Sequence, residues 1–260
     1  MTYETILAER RGDVLVLTLN RPDRLNAAPT LMFDELRHGL AHLDGARAVL
    51  LAGAGRAFCS GADVGAGALL AGDPGEATHR ALTEHYNPAL HALSELPVPV
   101  VSAVRGAAAG IGCSLALAAD LCVASDTAYF LQAFVNIGLV PDGGASWVLP
   151  RLIGRARALE MMLLGERVPA ARALEWGLIH TLVADAELDD AGLALATRLA
   201  AGATVAMGLI RRGIAHALDS SYVEALNREA GDQRRARGTA DALEGGSAFL
   251  EKRAPIFRGA

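Results

Sequence analysis

RAFCSGADV (residues 56–64) and VRGAAAGIGCSLALAADL (residues 104–121) decide the reading of this chain. Each follows a predicted strand and passes through glycines into a helical or apolar segment. Turns of this kind leave backbone N–H groups free, and two of them can aim their donors at one point. In a water-poor pocket, one such donor held against a carbonyl oxygen that is gaining negative charge lowers the barrier by about 3 kcal/mol. The pattern therefore predicts a site made mostly of backbone.

The rest of the composition narrows the class. A chain of 260 residues, 52% hydrophobic, buries a large core and is not disordered. A net charge of −5 offers no electrostatic footprint for nucleic acid or for an anionic membrane surface. Lys252 is the single lysine, so Schiff-base chemistry would rest on it alone. Cys59, Cys113 and Cys122 sit in apolar contexts, cannot all pair, and show no zinc-ligand spacing, which suits a reducing cytoplasm. The first residues, MTYETILAERRGD, are charged and lack the apolar stretch of a signal peptide. Residues 96–124 are the most apolar segment, but prolines, glycines, Arg105 and Asp120 interrupt them, so they read as strand, turn, buried helix and strand. The expectation is a cytoplasmic protein.

Along the chain, Thr5–Glu9 and Val14–Leu19 flank a turn at Arg11-Gly12-Asp13 and predict a hairpin. A loop over residues 20–28 precedes a helix whose apolar residues Leu31, Met32, Phe33, Leu36, Leu40 and Leu43 recur at helical spacing until Asp44-Gly45. Ala48–Ala52 is a buried strand. Gly65–Gly75 is expected to be the mobile part of the core, followed by a helix over about 77–96, a strand at 98–104, a helix near 113–119 and strands near 121–124 and 128–130. This order predicts an α/β fold with parallel strands covered on both faces. From about residue 185 onward the pattern is helical, over 186–201, 204–218, 222–237 and 239–253, with more apolar face than isolated helices can bury.

Among side chains, Asp142 stands out. It follows Pro141 and precedes Gly143-Gly144 at the entrance to a helix, where an aspartate serves either as an N-cap, worth about 1 kcal/mol, or as a functional acid. His38 and His42 stand four apart, but HGLAH lacks the glutamate of a zinc helix, and a solvated helix face is the plainer reading. His79, His85 and His91 share no helical face. Ser60 and Ser114 lie outside a G-x-S-x-G elbow. The glycines at residues 53–58 and 110–115 do not complete a dinucleotide fingerprint, so neither nicotinamide nor flavin is implied.

F-C-S-G-A-D and the later G-x-G-C turn, with NRPDRLNA (20–27), NIGLVPDGGASWVLPRLIG (136–154) and AFLEKRAPIFRG (248–259), resemble the crotonase family of enoyl-CoA hydratases and isomerases nearly end to end. The resemblance implies a spiral core of ββα units over residues 1–185 and a C-terminal helical region, 186–260, that packs trimers or dimers of trimers. It implies an acyl-coenzyme A thioester as substrate, with no bound prosthetic group and no metal, and the amides of Ala62 and Ile111 as oxyanion donors. Coenzyme A would meet Arg24, Leu25 and Ala27 in the 20–28 loop, Asp63 and Val64 at the end of the first turn, and Phe249 and Lys252 from another part of the assembly. By residue type, Asp63 also braces its turn through hydrogen bonds to backbone.

The departures matter as much as the match. Family hydratases place two glutamates around the substrate, and this chain has Ser114 and Phe134 at those positions. A serine is a poor proton shuttle at neutral pH and a phenylalanine is none. Asp142 remains. V-P-D-G-G-x-S-W-x-L-P-R-L most resembles the epoxyphenylacetyl-CoA isomerase branch, in which an aspartate moves protons. Ile111 replaces a usual glycine, which a backbone donor tolerates. The sequence thus points to an isomerase that shifts a proton along an enolate, in aromatic or fatty acid breakdown. A hydratase and an acyl-CoA-binding protein without turnover are the alternatives, and a nucleic-acid-binding role is a third.

Overall fold

The computed structural model describes residues 2–63 and 73–260. The hairpin forms as β1 (Ile6–Arg11) against β2 (Val14–Leu19), with Ile6 opposite Leu19 and Arg11 opposite Val14. After α1 (Thr30–Ala41), β3 (Ala48–Gly53) pairs parallel to β2. β4 (Val100–Val104) pairs parallel to β3, β6 (Leu121–Ser125) to β4, and β9 (Thr181–Val183) to β6. The order β1-β2-β3-β4-β6-β9 makes a six-stranded sheet, parallel beyond the hairpin.

A second, three-stranded sheet joins β5 (Ala107–Ala109), β7 (Tyr129–Leu131) and β8 (Val168–Pro169). The chain alternates between the two sheets: β4 then β5, helix α4 (Ile111–Leu117), then β6 and β7. The same step occurs in rudimentary form after β3, where Cys59 makes an isolated parallel bridge to Ala108 of β5. These are the repeated strand–strand–helix units of a spiral core, which no sequence repeat reveals.

Strand alternation divides the core. Leu15, Leu17, Leu19, Val49 and Leu51 face a cluster that includes Phe33, Leu36, Phe58 and Leu93, whereas Val14, Val16, Leu50, Val101 and Ala103 face a second cluster. The second face is covered by α7 (Leu188–Ala200), through Leu188, Ala196 and Ala200. Gly192 of this helix lies so close to the sheet that a Cβ would be 3.0 Å from the Ala103 side chain. Parallel strands buried on both faces explain the near-continuous apolar runs of β3 and β4.

The helix expected over about 77–96 is one run from Pro74 to Ser94, made of α2 (Pro74–Ala81), a π-helical turn (Leu82–Tyr86) and α3 (Asn87–Ser94). Asp73 caps it through the Gly75 amide at 2.8 Å. Most of the stretch expected to be mobile, residues 65–75, lies outside the described residues. The helix expected from about Ala145 to Leu152 forms with Pro150 inside it; at Gly154 the backbone is non-helical, so α5 (Ala145–Leu164) is two helices joined at a kink, and α6 (Ala170–Trp176) follows β8. The C-terminal helices form as read, α8 (Thr204–Ala217), α9 (Tyr222–Arg237) and α10 (Ala240–Glu251). Among the described residues, no single helix is long and apolar enough to cross a membrane.

One close approach fixes the two glycine-rich turns together. A Cβ on Gly112, in the first turn of α4, would lie 2.5 Å from the Cys59 Cβ and 2.7 Å from the Cys59 carbonyl oxygen, neither of which can swing aside. Gly112→Ala should therefore destabilise the fold by about 1–3 kcal/mol, the usual cost of overpacking a tight core. The measurement is the urea midpoint, and an unchanged midpoint would show that the two turns are not wedged as described.

Candidate active site

The two turns meet through backbone. Cys59 N–H donates to Ala107 O at 2.9 Å and Ala109 N–H to Cys59 O at 2.9 Å, which aligns the first turn with β5. On its other side the first turn pairs with the 20–28 loop. Ala28 N–H donates to Gly61 O at 2.8 Å and Asp63 N–H to Ala28 O at 3.0 Å, an isolated parallel bridge between Ala28 and Ala62. In such a bridge the N–H of the central residue points away from its partner. Ala62 N–H accordingly faces away from Ala28 and donates no backbone hydrogen bond among the described residues.

Ile111 is the first residue of α4, so its N–H has no acceptor within the helix. The reversal into α4 uses Gly110 at φ +53, ψ −127, a conformation open to glycine alone. A Cβ there would lie 3.8 Å from Gly61 Cα and 3.5 Å from the ring of Phe134, which places the two turns side by side under that ring. Ile111 itself is buried, and its side chain reaches Gly143, where a Cβ would come within 2.6 Å of the Ile111 Cδ1. The bulk that replaces the usual glycine is thus absorbed by a glycine opposite, and the backbone is left as a donor.

Asp142 lies beside the same helix end. Ser114 Oγ donates to the Asp142 backbone carbonyl at 3.0 Å. The N-cap alternative does not hold: Gly144, at φ +80, is the N-cap of α5, no side chain caps that helix, and only the Asp142 backbone oxygen is used, accepting from Ala145 N–H at 3.1 Å. The carboxyl is free for other work. Its buried Oδ1 has no hydrogen-bond partner among the described residues, and burial pushes its pKa up from 3.8 to about 6. A carboxyl with that value is half ionised at about pH 6 and mostly ionised at neutrality, so it can take a proton and return it.

The coenzyme A residues expected from sequence divide into two groups. Arg24 closes a short 3-10 turn (Pro22–Arg24) and is exposed; Leu25 follows it at φ +51, and its carbonyl accepts from Ser60 N–H at 3.0 Å. Ala27 N–H donates to Arg24 O at 3.0 Å. This group lies against the first turn. Phe249, 82% exposed, and Lys252, at φ +55, lie at the far end of α10, and no hydrogen bond or ion pair among the described residues joins them to the 20–28 loop. Val64 lies outside the described residues. Asp63 Oδ2 is ion-paired to Arg21 at 2.8 Å, which ties the end of the first turn to the 20–28 loop.

Three residues of this region escape a reading by motif. Arg21 holds Asp63 and also donates to the Ala27 carbonyl. Asn26, fully buried at φ +55, accepts from Arg21 N–H at 2.8 Å and donates to the carbonyls of Ala54 and Ala57 at 2.9 and 2.8 Å. Tyr86, from the π-helical turn, donates to Ala28 O at 2.8 Å. Asn26 carries a signal, because asparagine is among the few residues that tolerate positive φ in a loop. Away from the site, His38 and His42 stack at 4.3 Å with His38 Nδ1 on the Tyr3 hydroxyl.

The burial of Asp142 has a sign that can be tested. Its pKa is raised in the fold, so ionisation costs folding free energy. The penalty accrues between the ordinary value of 3.8 and about 6 and is constant above. Asp142→Asn should unfold at higher denaturant than the native protein at pH 8, and that advantage should shrink to a small fraction by pH 4. Paired urea curves at the two pH values check it, and an equal difference at both would remove burial as the cause.

Comparison with known proteins agrees with this geometry. The family model described as enoyl-CoA hydratase/isomerase matches residues 9–260. A protein of Rhodobacter capsulatus named as a probable enoyl-CoA hydratase is 43% identical over all of both chains. The 1,2-epoxyphenylacetyl-CoA isomerase of Escherichia coli is 42% identical over 98% of this chain and 99% of that one. A solved structure from Mycobacterium abscessus, titled as a putative enoyl-CoA hydratase/isomerase, superposes with a TM-score of 0.92 at 37% identity, over 98% of this chain and all of the other. With the family model matched over residues 9–260 and its relatives aligned along nearly its full length, the chain belongs to the enoyl-CoA hydratase/isomerase family.

Proposed function

We propose that within this family the chain is an acyl-CoA isomerase. The observation that carries the reading is the pairing of one half-buried carboxyl, Asp142 with a pKa near 6, with two backbone amides at the same helix end. Ser114 spends its hydroxyl on the Asp142 carbonyl, and Phe134 presents a ring beside Gly110. Neither activates water. Hydration needs groups that position and deprotonate water, whereas a proton shift needs one base that later acts as acid.

In the mechanism, the thioester carbonyl accepts hydrogen bonds from Ala62 and Ile111 N–H. Asp142 carboxylate takes a proton from carbon, the electron pair passes into the carbonyl as a dienolate, and the two amides hold the charge on oxygen. Asp142 then returns the proton to another carbon, and the double bond has moved. Charge stabilisation by preorganised amides and proton transfer by a placed acid each supply a factor of about a hundred or more. Coenzyme A enters as part of the substrate, along Arg24, Leu25, Ala27, Asp63 and Val64, with no prosthetic group required.

The remaining contacts, Phe249 and Lys252, reach this site in the reading only from another copy of the chain, as in a trimer or a dimer of trimers. A groove of about 450 Å³ between α8 and α9, lined by Leu209, Ile210, Ile214 and Ala225, supports such packing. The setting is cytoplasmic, in phenylacetate or fatty acid degradation.

The test supplies a 3-enoyl-CoA in deuterated water and follows product mass. The expected product is the conjugated 2-enoyl thioester without added water, and accumulation of a hydrated product would overturn the isomerase reading. Asp142→Asn should lose about a hundredfold or more in kcat with ligand affinity little changed. Because only the ionised carboxylate accepts the proton, kcat/KM of the native enzyme should fall about tenfold per pH unit below about pH 6.

A further inference from the structure

The Ala28 carbonyl is the point where three parts of the molecule meet, and each is ordered by different physics. It accepts the Asp63 N–H from the first glycine-rich turn and the Tyr86 hydroxyl from the long helix, at 3.0 and 2.8 Å, so both of its lone pairs are used. The Ala28 N–H meanwhile donates to Gly61 O. Ala62 thus sits between two residues that are both bonded to Ala28. The direction of its N–H is set by where Ala28 is held.

Tyr86 is held there by two independent restraints. It is buried, 7% exposed, with its ring edge-on to Phe33 at a centroid distance of 4.6 Å. It also ends the π-helical turn, Leu82–Tyr86, in which the helix widens for one turn before α3 continues. Such turns are rare and, where they interrupt an α-helix, are frequent at functional sites. Neighbouring His85 fixes the same turn from outside, with Nδ1 at 2.7 Å from Asp34 Oδ2 of α1.

We propose that Tyr86 is a positioning residue for the oxyanion site: its hydroxyl, by holding the Ala28 carbonyl, aims the Ala62 amide at the thioester oxygen. The inference rests on the reading of Ala62 as an oxyanion donor. The phenol remains a donor at working pH, because its pKa is pushed up to about 12, first by burial and then by the charges of Asp142, Cys59 and Asp63. Tyr86 acts through backbone and requires no contact with substrate. The contact also links the helix that follows residues 64–72 to the strength of the oxyanion site.

The test uses a probe whose colour reports carbonyl polarisation, a 4-(dimethylamino)cinnamoyl-CoA thioester, since hydrogen bonds to the thioester oxygen draw charge across the conjugated system and shift its absorption to the red. Bound to the native protein, the probe should show that shift. Tyr86→Phe keeps the ring and its packing on Phe33, and should keep its melting temperature while losing about half of the red shift or more, one of the two donors being misdirected. Phe33→Leu weakens the packing and leaves the hydroxyl, so it should lower the melting temperature and keep the red shift.

A full red shift in Tyr86→Phe would overturn the proposal while leaving the oxyanion reading intact. Absence of any shift with bound native protein would overturn both. Loss of the shift in Phe33→Leu would overturn the proposal by showing that packing in general, not the hydroxyl, sets the amide.

Discussion

Two isolated backbone bridges, Ala28 to Ala62 and Cys59 to Ala108, hold the first glycine-rich turn from opposite sides. Everything at the site follows from them. A turn paired on one edge alone can rotate about its hydrogen bonds, whereas one paired on both edges keeps the orientation of every amide within it. The Cys59 bridge fastens the turn to β5 and so to the start of α4, where Ile111 N–H lies. The Ala28 bridge fastens it to the loop that carries Arg24 and Leu25. A donor site made of backbone needs this, because an N–H has no rotamer of its own and can be aimed only by placing the chain.

The side-chain chemistry is fitted around that frame. Asp142 gains its raised pKa from burial, without a neighbouring like charge among the causes, so its protonation responds to how dry the site is. Ser114 and Gly143 make the same arrangement possible from two sides. The serine hydroxyl ties the Asp142 backbone to α4, and the missing Cβ of Gly143 accommodates Ile111. A glutamate in place of Ser114 would exchange that tether for a second ionisable group beside the first. The residue type at position 114 and the anchoring of Asp142 are therefore physically coupled.

Much of this was legible in the sequence because the informative residues are glycines. Gly61, Gly110 and Gly112 mark close approach or reversal at the spacing that two donor turns require, and the alternation of β2 and the apolar runs of β3 and β4 fix the sheet. The contacts that hold the site together were not legible. Tyr86 lies at a spacing from Ala89 and Leu93 that fits ordinary core, and a π-helical turn leaves no compositional mark. Arg21 reads as a charge in a loop until Asp63 is seen beside it. The cap reading of Asp142 failed for a similar reason, since a pair of glycines in left-handed conformation starts α5 without help from any side chain.

The C-terminal helices carry the argument beyond the single chain. Ile210, Ile214, Tyr222 and Val223 on α8 and α9 are exposed, as are Phe249 and Leu250 on α10. Apolar surface of this extent favours burial against another surface, at about 25 cal/mol per Å² removed from water. Under the proposed function the same helices carry Phe249 and Lys252, which the single chain does not bring to the 20–28 loop. Assembly and completion of the coenzyme A site would then be one event. In that reading the Ala28 carbonyl, which ends the loop and accepts from Asp63 N–H, would stand between ligand binding on one side and the oxyanion amide on the other.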